Sequence, residues 1–141
     1  MVVDTKLRLP VKARIVKTAD DDLLVFTAAP LKSAKARVLA NAGVELVGMK
    51  TRKGKIDLGA VVKELGQREI LSVLLEAGPR MNGAALSAGV VHKLVMFYAP
   101  KLAGDVRVPF LSRASDSLPA LHLRSFKQFG PDMAMEFLVQ R

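Results

Sequence analysis

Apolar positions along this chain fall alternately into short unbroken runs and helical stripes. Leu23-Leu24-Val25-Phe26-Thr27 is unbroken and predicts a buried strand. Leu31, Lys35, Val38, Leu39 and Ala42 then recur at helical spacing, with Ser33 near the start and Gly43 as the stop. Val44-Glu45-Leu46-Val47 predicts the next strand. Asp57 can cap a helix that carries Leu58, Val61, Val62 and Leu65 on one stripe and ends at Gly66. Leu71 to Leu75 predicts a further buried strand. Pro79 can open a helix at its first turn, where a missing N–H costs nothing, and Gly89 closes it. Leu94 to Ala99 is apolar on both faces, as a central strand should be.

The end of the chain has a different period. Leu121, Leu123 and Ser125 alternate with His122, Arg124 and Phe126. After Gly130-Pro131-Asp132, the residues Met133, Met135, Phe137 and Val139 alternate with Ala134, Glu136, Leu138 and Gln140. Alternation on both sides of a turn signal predicts an antiparallel hairpin. Strands alternating with helices and finished by a hairpin predict an α/β fold. Its expected form is a mixed, mostly parallel sheet flanked by helices.

Length and composition narrow the function. The chain has 141 residues, half of them apolar, which is one domain's worth with a sizeable core. It contains no cysteine, which excludes a disulfide scaffold, a Cys-ligated zinc site and a thiol nucleophile. Its longest apolar run falls far short of the roughly 20 residues a membrane helix needs. Met1 leads straight into Val2-Val3-Asp4 without a basic leader, so a cytoplasmic protein is expected. The 22 Lys and Arg against 13 Asp and Glu give a net charge of +9, which attracts anions. The basic residues are scattered, the densest cluster being Lys50-Thr51-Arg52-Lys53-Gly54-Lys55, and there is one Tyr and no Trp to stack bases on. A phosphate-bearing small molecule is therefore the expected ligand, not a nucleic acid or a membrane.

Most catalytic constellations are missing. His92 and His122 stand too far apart for a helical metal pair, and no Gly-x-Ser-x-Gly or Gly-x-Gly-x-x-Gly occurs. No catalytic residue and no metal ligand is assigned. One segment differs: Val73-Leu74-Leu75-Glu76-Ala77-Gly78-Pro79-Arg80-Met81-Asn82-Gly83-Ala84-Ala85-Leu86. Its Gly78-x-x-x-x-Gly83 spacing echoes a P-loop, but Ala84-Ala85 replaces the Lys-Ser/Thr pair that a nucleotide triphosphatase needs. A turn of this kind offers unpaired N–H groups at a helix N-terminus, and glycines without a Cβ let a phosphate approach the backbone. Glu76 falls at the carboxyl end of the expected strand, where ligands of open α/β sheets sit. A plain strand-to-helix turn with an exposed Glu76 accounts for the same residues.

The stretch Leu75-Glu76-Ala77-Gly78-Pro79 followed by Asn82-Gly83-Ala84-Ala85-Leu86 resembles the reductase domain of the RibD family of riboflavin biosynthesis proteins. Ala99-Pro100-Lys101-Leu102-Ala103-Gly104, the opening Val2-Val3-Asp4-Thr5 with Leu9-Pro10, and Gly130-Pro131-Asp132 fit the same family in the same order. The resemblance covers essentially the whole chain, as one reductase domain over residues 1–141 that lacks the family's N-terminal strand, helix and substrate loop. It implies a dihydrofolate-reductase-like fold, NADPH as hydride donor and a phosphoribosylaminouracil as substrate. Carried over by position, Glu76 contacts the substrate, while Thr5 and Gly78, Pro79, Arg80, Met81, Asn82, Gly83 and Ala84 bind the cofactor. The implied reaction opens the ribosyl ring and reduces its C1 to give a ribityl chain. A homodimer is expected. The chain departs from the family at Val91-His92-Lys93, where an acidic residue is common. A non-catalytic nucleotide-binding or regulatory domain that keeps the fold is the alternative. Lys32 and Lys35, near a strand-to-helix turn, are candidates for reading the cofactor's ribose phosphate.

Overall fold

A computed structural model describes residues 1–102, 104, 109–112 and 119–140. The chain forms two compact units, Met1–Ile70 and Leu71–Arg141. In the first unit the elements are β1 (Val2–Val3), α1 (Arg14–Lys17), β2 (Leu23–Thr27), α2 (Ala34–Asn41), β3 (Val44–Gly48), β4 (Thr51–Arg52), β5 (Lys55–Ile56) and α3 (Leu58–Gln67). Strands β1, β2 and β3 lie parallel in that order, and Val25 pairs with Val2 on one side and Leu46 on the other.

The unbroken apolar run of β2 has a direct cause. Successive side chains of a strand point to opposite faces. Leu23 and Val25 join Leu7, Val16, Ala36, Leu39 and Val44 in one buried cluster. Phe26 joins Ile56, Val61 and Leu65 in a second, with Leu24 packed against it. Helix α2 supplies the first cluster and α3 the second, so β2 must be apolar on both faces. Val25, Phe26 and Thr27 are fully buried, and the Thr27 hydroxyl accepts the Ala29 N–H at 3.2 Å.

The caps follow the sequence closely. Ser33 Oγ accepts the Ala36 N–H at 3.3 Å to start α2, and Gly43 follows the helix at φ +80°. Asp57 Oδ1 accepts the Gly59 N–H at 2.9 Å to start α3. The stop of α3 differs from expectation: the helix runs through Gly66 to Gln67, and Glu69 takes the left-handed conformation at φ 61°. The Ile70 N–H closes the end onto the Leu65 carbonyl at 3.0 Å, so the hydrogen-bonded stop forms without glycine at the left-handed position.

In the second unit the elements are α4 (Pro79–Ser87), β6 (Lys93–Tyr98), β7 (Leu121–Phe129) and β8 (Asp132–Val139). Strands β7 and β8 form the expected hairpin about Gly130, whose φ of 59° the tight turn requires. Glu136 on β8 is shared by Lys93 on β6 at 3.1 Å and Arg124 on β7 at 3.6 Å.

Two strand expectations are corrected here. The run Leu94 to Ala99 is not a central strand among the described residues: the sheet order there is β6-β8-β7, which puts β6 at an edge and leaves Phe97 73% exposed. Apolar side chains record a capacity for burial, whereas the central place goes to the strand paired along both its edges, β8. Leu71 to Leu75 is not a buried strand. It has no ladder partner among the described residues, and Leu71 and Leu74 are 99% and 80% exposed. β propensity alone does not make a strand without a neighbour to take its backbone hydrogen bonds.

Candidate functional site

The start of α4 is built from its own sequence. Gly78 is the N-cap, with φ −80° and ψ 174°, and Pro79 occupies the first helical position without an N–H to satisfy. The Met81 and Asn82 N–H groups turn back to the Gly78 carbonyl at 3.0 and 3.1 Å. The Arg80 N–H therefore remains as a first-turn donor with no protein acceptor among the described residues. Aligned peptide dipoles add partial positive charge at this end, and the exposed Arg80 guanidinium adds a full one.

A second segment closes over this helix start. The Ser112 N–H donates to the Pro79 carbonyl at 3.0 Å, and Asn82 Nδ2 donates to the Phe110 carbonyl at 3.3 Å. The result is an open concavity of about 410 Å³ lined by Gly78, Pro79, Arg80, Met81, Pro109 and Ser112. A Cβ built on Gly78 meets nothing within 4 Å, so protein packing places no demand for glycine there. What the arrangement offers is an open, glycine-bounded concavity with a mainly apolar lining, carrying positive charge at Arg80 and the helix start.

The structure thus brings together four of the residues singled out in sequence: Gly78, Pro79, Arg80 and Met81. Asn82 is turned to the Phe110 carbonyl and anchors the neighbouring segment. Gly83 and Ala84 lie further along the helix, Gly83 buried and Ala84 half-buried, and neither lines the concavity. Glu76 is exposed in the extended stretch just before the N-cap. Pro109 and Ser112 were missed by sequence reasoning. They stand about thirty positions downstream in no recognisable motif, and only their backbone contacts bring them to α4. Ala103 of the Ala99–Gly104 motif lies outside the described residues.

Thr5 belongs to the first unit. It lines a separate polar cleft of about 260 Å³ together with Val3, Asp4, Lys6, Arg8 and Gly54. Its carbonyl accepts the Ala28 N–H at 3.1 Å, which ties this loop to the end of β2. Lys32 and Lys35 are not among the residues lining either concavity. His92 is exposed just before β6, and its carbonyl accepts the Val139 N–H at 2.9 Å. Away from both concavities, Arg68 bonds Glu45 at 2.7 Å and Glu64 at 2.9 Å, and these hydrogen bonds hold its guanidinium above the ordinary arginine pKa. Among the described residues no group of three or more His, Asp or Glu is placed to hold a metal, and no helix is long and apolar enough to cross a membrane.

Comparison with known proteins gives the following. Residues 1–135 match the family model described as the RibD C-terminal domain. The riboflavin biosynthesis protein RibD of Actinobacillus pleuropneumoniae is 29% identical over 144 residues, covering 99% of this chain and 38% of that protein. Among solved structures, Acinetobacter baumannii RibD superposes with a TM-score of 0.77 at 22% identity, over 99% of this chain and 37% of the other. A Thermotoga maritima diaminohydroxyphosphoribosylaminopyrimidine deaminase/5-amino-6-(5-phosphoribosylamino)uracil reductase gives a TM-score of 0.71 at 19% identity, over 98% and 37%. The chain therefore spans less than two fifths of these relatives, and it has the dihydrofolate-reductase-like fold of their reductase domains.

Proposed function

This chain belongs to the RibD C-terminal domain family, and on that premise we propose that it is an NADPH-dependent reductase acting on 5-amino-6-(5-phosphoribosylamino)uracil in riboflavin biosynthesis. The observation that carries the reading is the concavity at the start of α4, where the family motif, a backbone donor with no acceptor among the described residues and an uncrowded glycine coincide. These residues fit the pyrophosphate of a dinucleotide. The Arg80 N–H and the helix dipole would hold its charge, and Gly78 would let it reach the backbone. Thr5 in the first unit, and Asn82, Gly83 and Ala84 further along α4, are carried as cofactor residues by family position.

When bound, NADPH supplies the hydride that reduces C1 of the opened ribosyl ring, giving a ribityl chain. The protein's part is alignment of donor and acceptor more than strong acid–base chemistry. The Glu76 carboxylate would accept a hydrogen bond from a substrate amide or hydroxyl and so orient the acceptor carbon. The proposal extends to a cytoplasmic homodimer that binds no nucleic acid. What supports the pairing is the edge of β6, which has no ladder partner among the described residues, with Val95 and Phe97 exposed beside it.

The test is turnover. The purified chain is incubated with the phosphoribosylaminouracil and NADPH, while nicotinamide oxidation is followed optically and the ribityl product by mass. Cofactor binding without turnover would favour the non-catalytic alternative, and absence of both would end the reading.

A further inference from the structure

Asn82 is the fourth residue of α4, a place that asparagine fills poorly because its short amide competes with the backbone for hydrogen bonds. Its own N–H is bonded to the Gly78 carbonyl at 3.1 Å, as that of any residue would be at this position. The side chain reaches out of the helix instead. Its Nδ2 donates to the Phe110 carbonyl at 3.3 Å, 28 positions along the chain. Neither Asn82 nor Phe110 lines the concavity at the helix start, but Pro109 and Ser112, on either side of Phe110, both do.

Residues 109–112 thus meet α4 at two points. The Ser112 N–H donates to the Pro79 carbonyl at 3.0 Å and brings the segment to the helix. One such bond leaves a chain segment free to swing about it, and the second, from Asn82, fixes its direction. None of the four residues is buried: Leu111 and Ser112 are half-buried, and Pro109 and Phe110 are exposed. Hydrogen bonds, not core packing, therefore hold this segment in place. What they set is a wall of the concavity that Arg80 and Met81 also line, with the rigid ring of Pro109 in it.

We propose that Asn82 is a positioning residue for the ligand of this concavity: its amide clasps residues 109–112 to α4, so that Pro109 and Ser112 cover a side of the bound cofactor that the helix start leaves open. The inference rests on the reductase reading for the identity of that ligand, and it gives Asn82 a part in cofactor binding without contact. A wall already in place need not be ordered when the ligand arrives. Loss of the clasp weakens binding, while the chemistry at the acceptor carbon is left intact.

The experiment uses the full chain and compares Asn82→Ala with wild type. Alanine has the higher helix propensity, so α4 is kept and urea unfolding should be nearly unchanged. Without ligand, amide exchange at Ser112 should quicken about threefold or more, in step with the lost clasp. NADPH affinity should fall about three- to tenfold, the effect of one neutral hydrogen bond. The KM for NADPH should rise by the same factor with kcat retained. Ser112→Pro removes the other attachment and separates positioning from contact. In that background Asn82→Ala should weaken NADPH little further, because the wall is already loose. Losses that multiply in the double variant would mean that Asn82 touches the cofactor itself and would overturn the proposal. So would unchanged Ser112 exchange or unchanged NADPH affinity in Asn82→Ala. A wild-type chain that binds no NADPH ends the reductase reading, and Ser112 exchange in Asn82→Ala then decides by itself whether Asn82 holds the wall.

Discussion

Replacing Gly78 by valine tests the proposed cofactor turn with least disturbance to the fold. Its φ of −80° is open to any residue, and an added Cβ meets no atom within 4 Å, so neither strain nor clash is introduced. Valine is a poorer N-cap than glycine, which costs α4 roughly 0.5–1 kcal/mol. Its branched side chain, however, stands at the rim of the concavity that Gly78 shares with Arg80 and Met81. There it would hold a phosphate away from the Arg80 N–H. A hydrogen bond to a charged group contributes about 1.5–3 kcal/mol, so its loss should weaken NADPH roughly ten- to hundredfold. Fluorescence titration of NADPH measures this, with Gly78→Ala as the smaller control and thermal unfolding confirming the fold. Unchanged affinity in a folded Gly78→Val protein would refute pyrophosphate binding at this helix start. Gly83→Val is a weaker test, because Gly83 is buried within α4 and lost binding could follow from lost packing.

Other outcomes are expected from the same structure. Glu76→Gln should raise the KM for the phosphoribosylaminouracil while leaving NADPH affinity unchanged, and steady-state kinetics with a direct cofactor titration separate the two. Raising salt from 0.1 to 1 M shortens the Debye length from about 10 to about 3 Å and should weaken NADPH more than NADH; equal slopes would show that no cation reads the extra phosphate. Phe26→Ala removes a fully buried ring from the cluster beneath α3 and should cost about 3–5 kcal/mol in urea unfolding. Sedimentation at micromolar concentration should show a dimer or larger species, and a stably folded monomer would mean that the exposed edge of β6 is tolerated in water.

Much of the first unit was legible in the sequence because its signals are local. Ser33 and Asp57 cap helices through bonds to residues two or three positions away, and the run Leu23–Thr27 states that both faces of β2 are covered. The opening of α4 at Pro79 is local in the same sense. The places where sequence reasoning failed depend on partners far along the chain. Leu71–Leu75 has the composition of a strand, but strands are made by their neighbours, and among the described residues none pairs with it. Leu94–Ala99 promised a central strand, yet the hairpin's second arm takes both ladders and leaves β6 at the edge. The candidate site divides along the same line. The motif marked Gly78–Met81, while Pro109 and Ser112 reach it only through Ser112's bond to the Pro79 carbonyl. Lys6 and Arg8 lie between Thr5 and Leu9 of the opening motif, which marks neither of them. Their joint exposure on the cleft follows from a left-handed, buried Leu7, a conformation that the tertiary fold imposes against the residue's own preference.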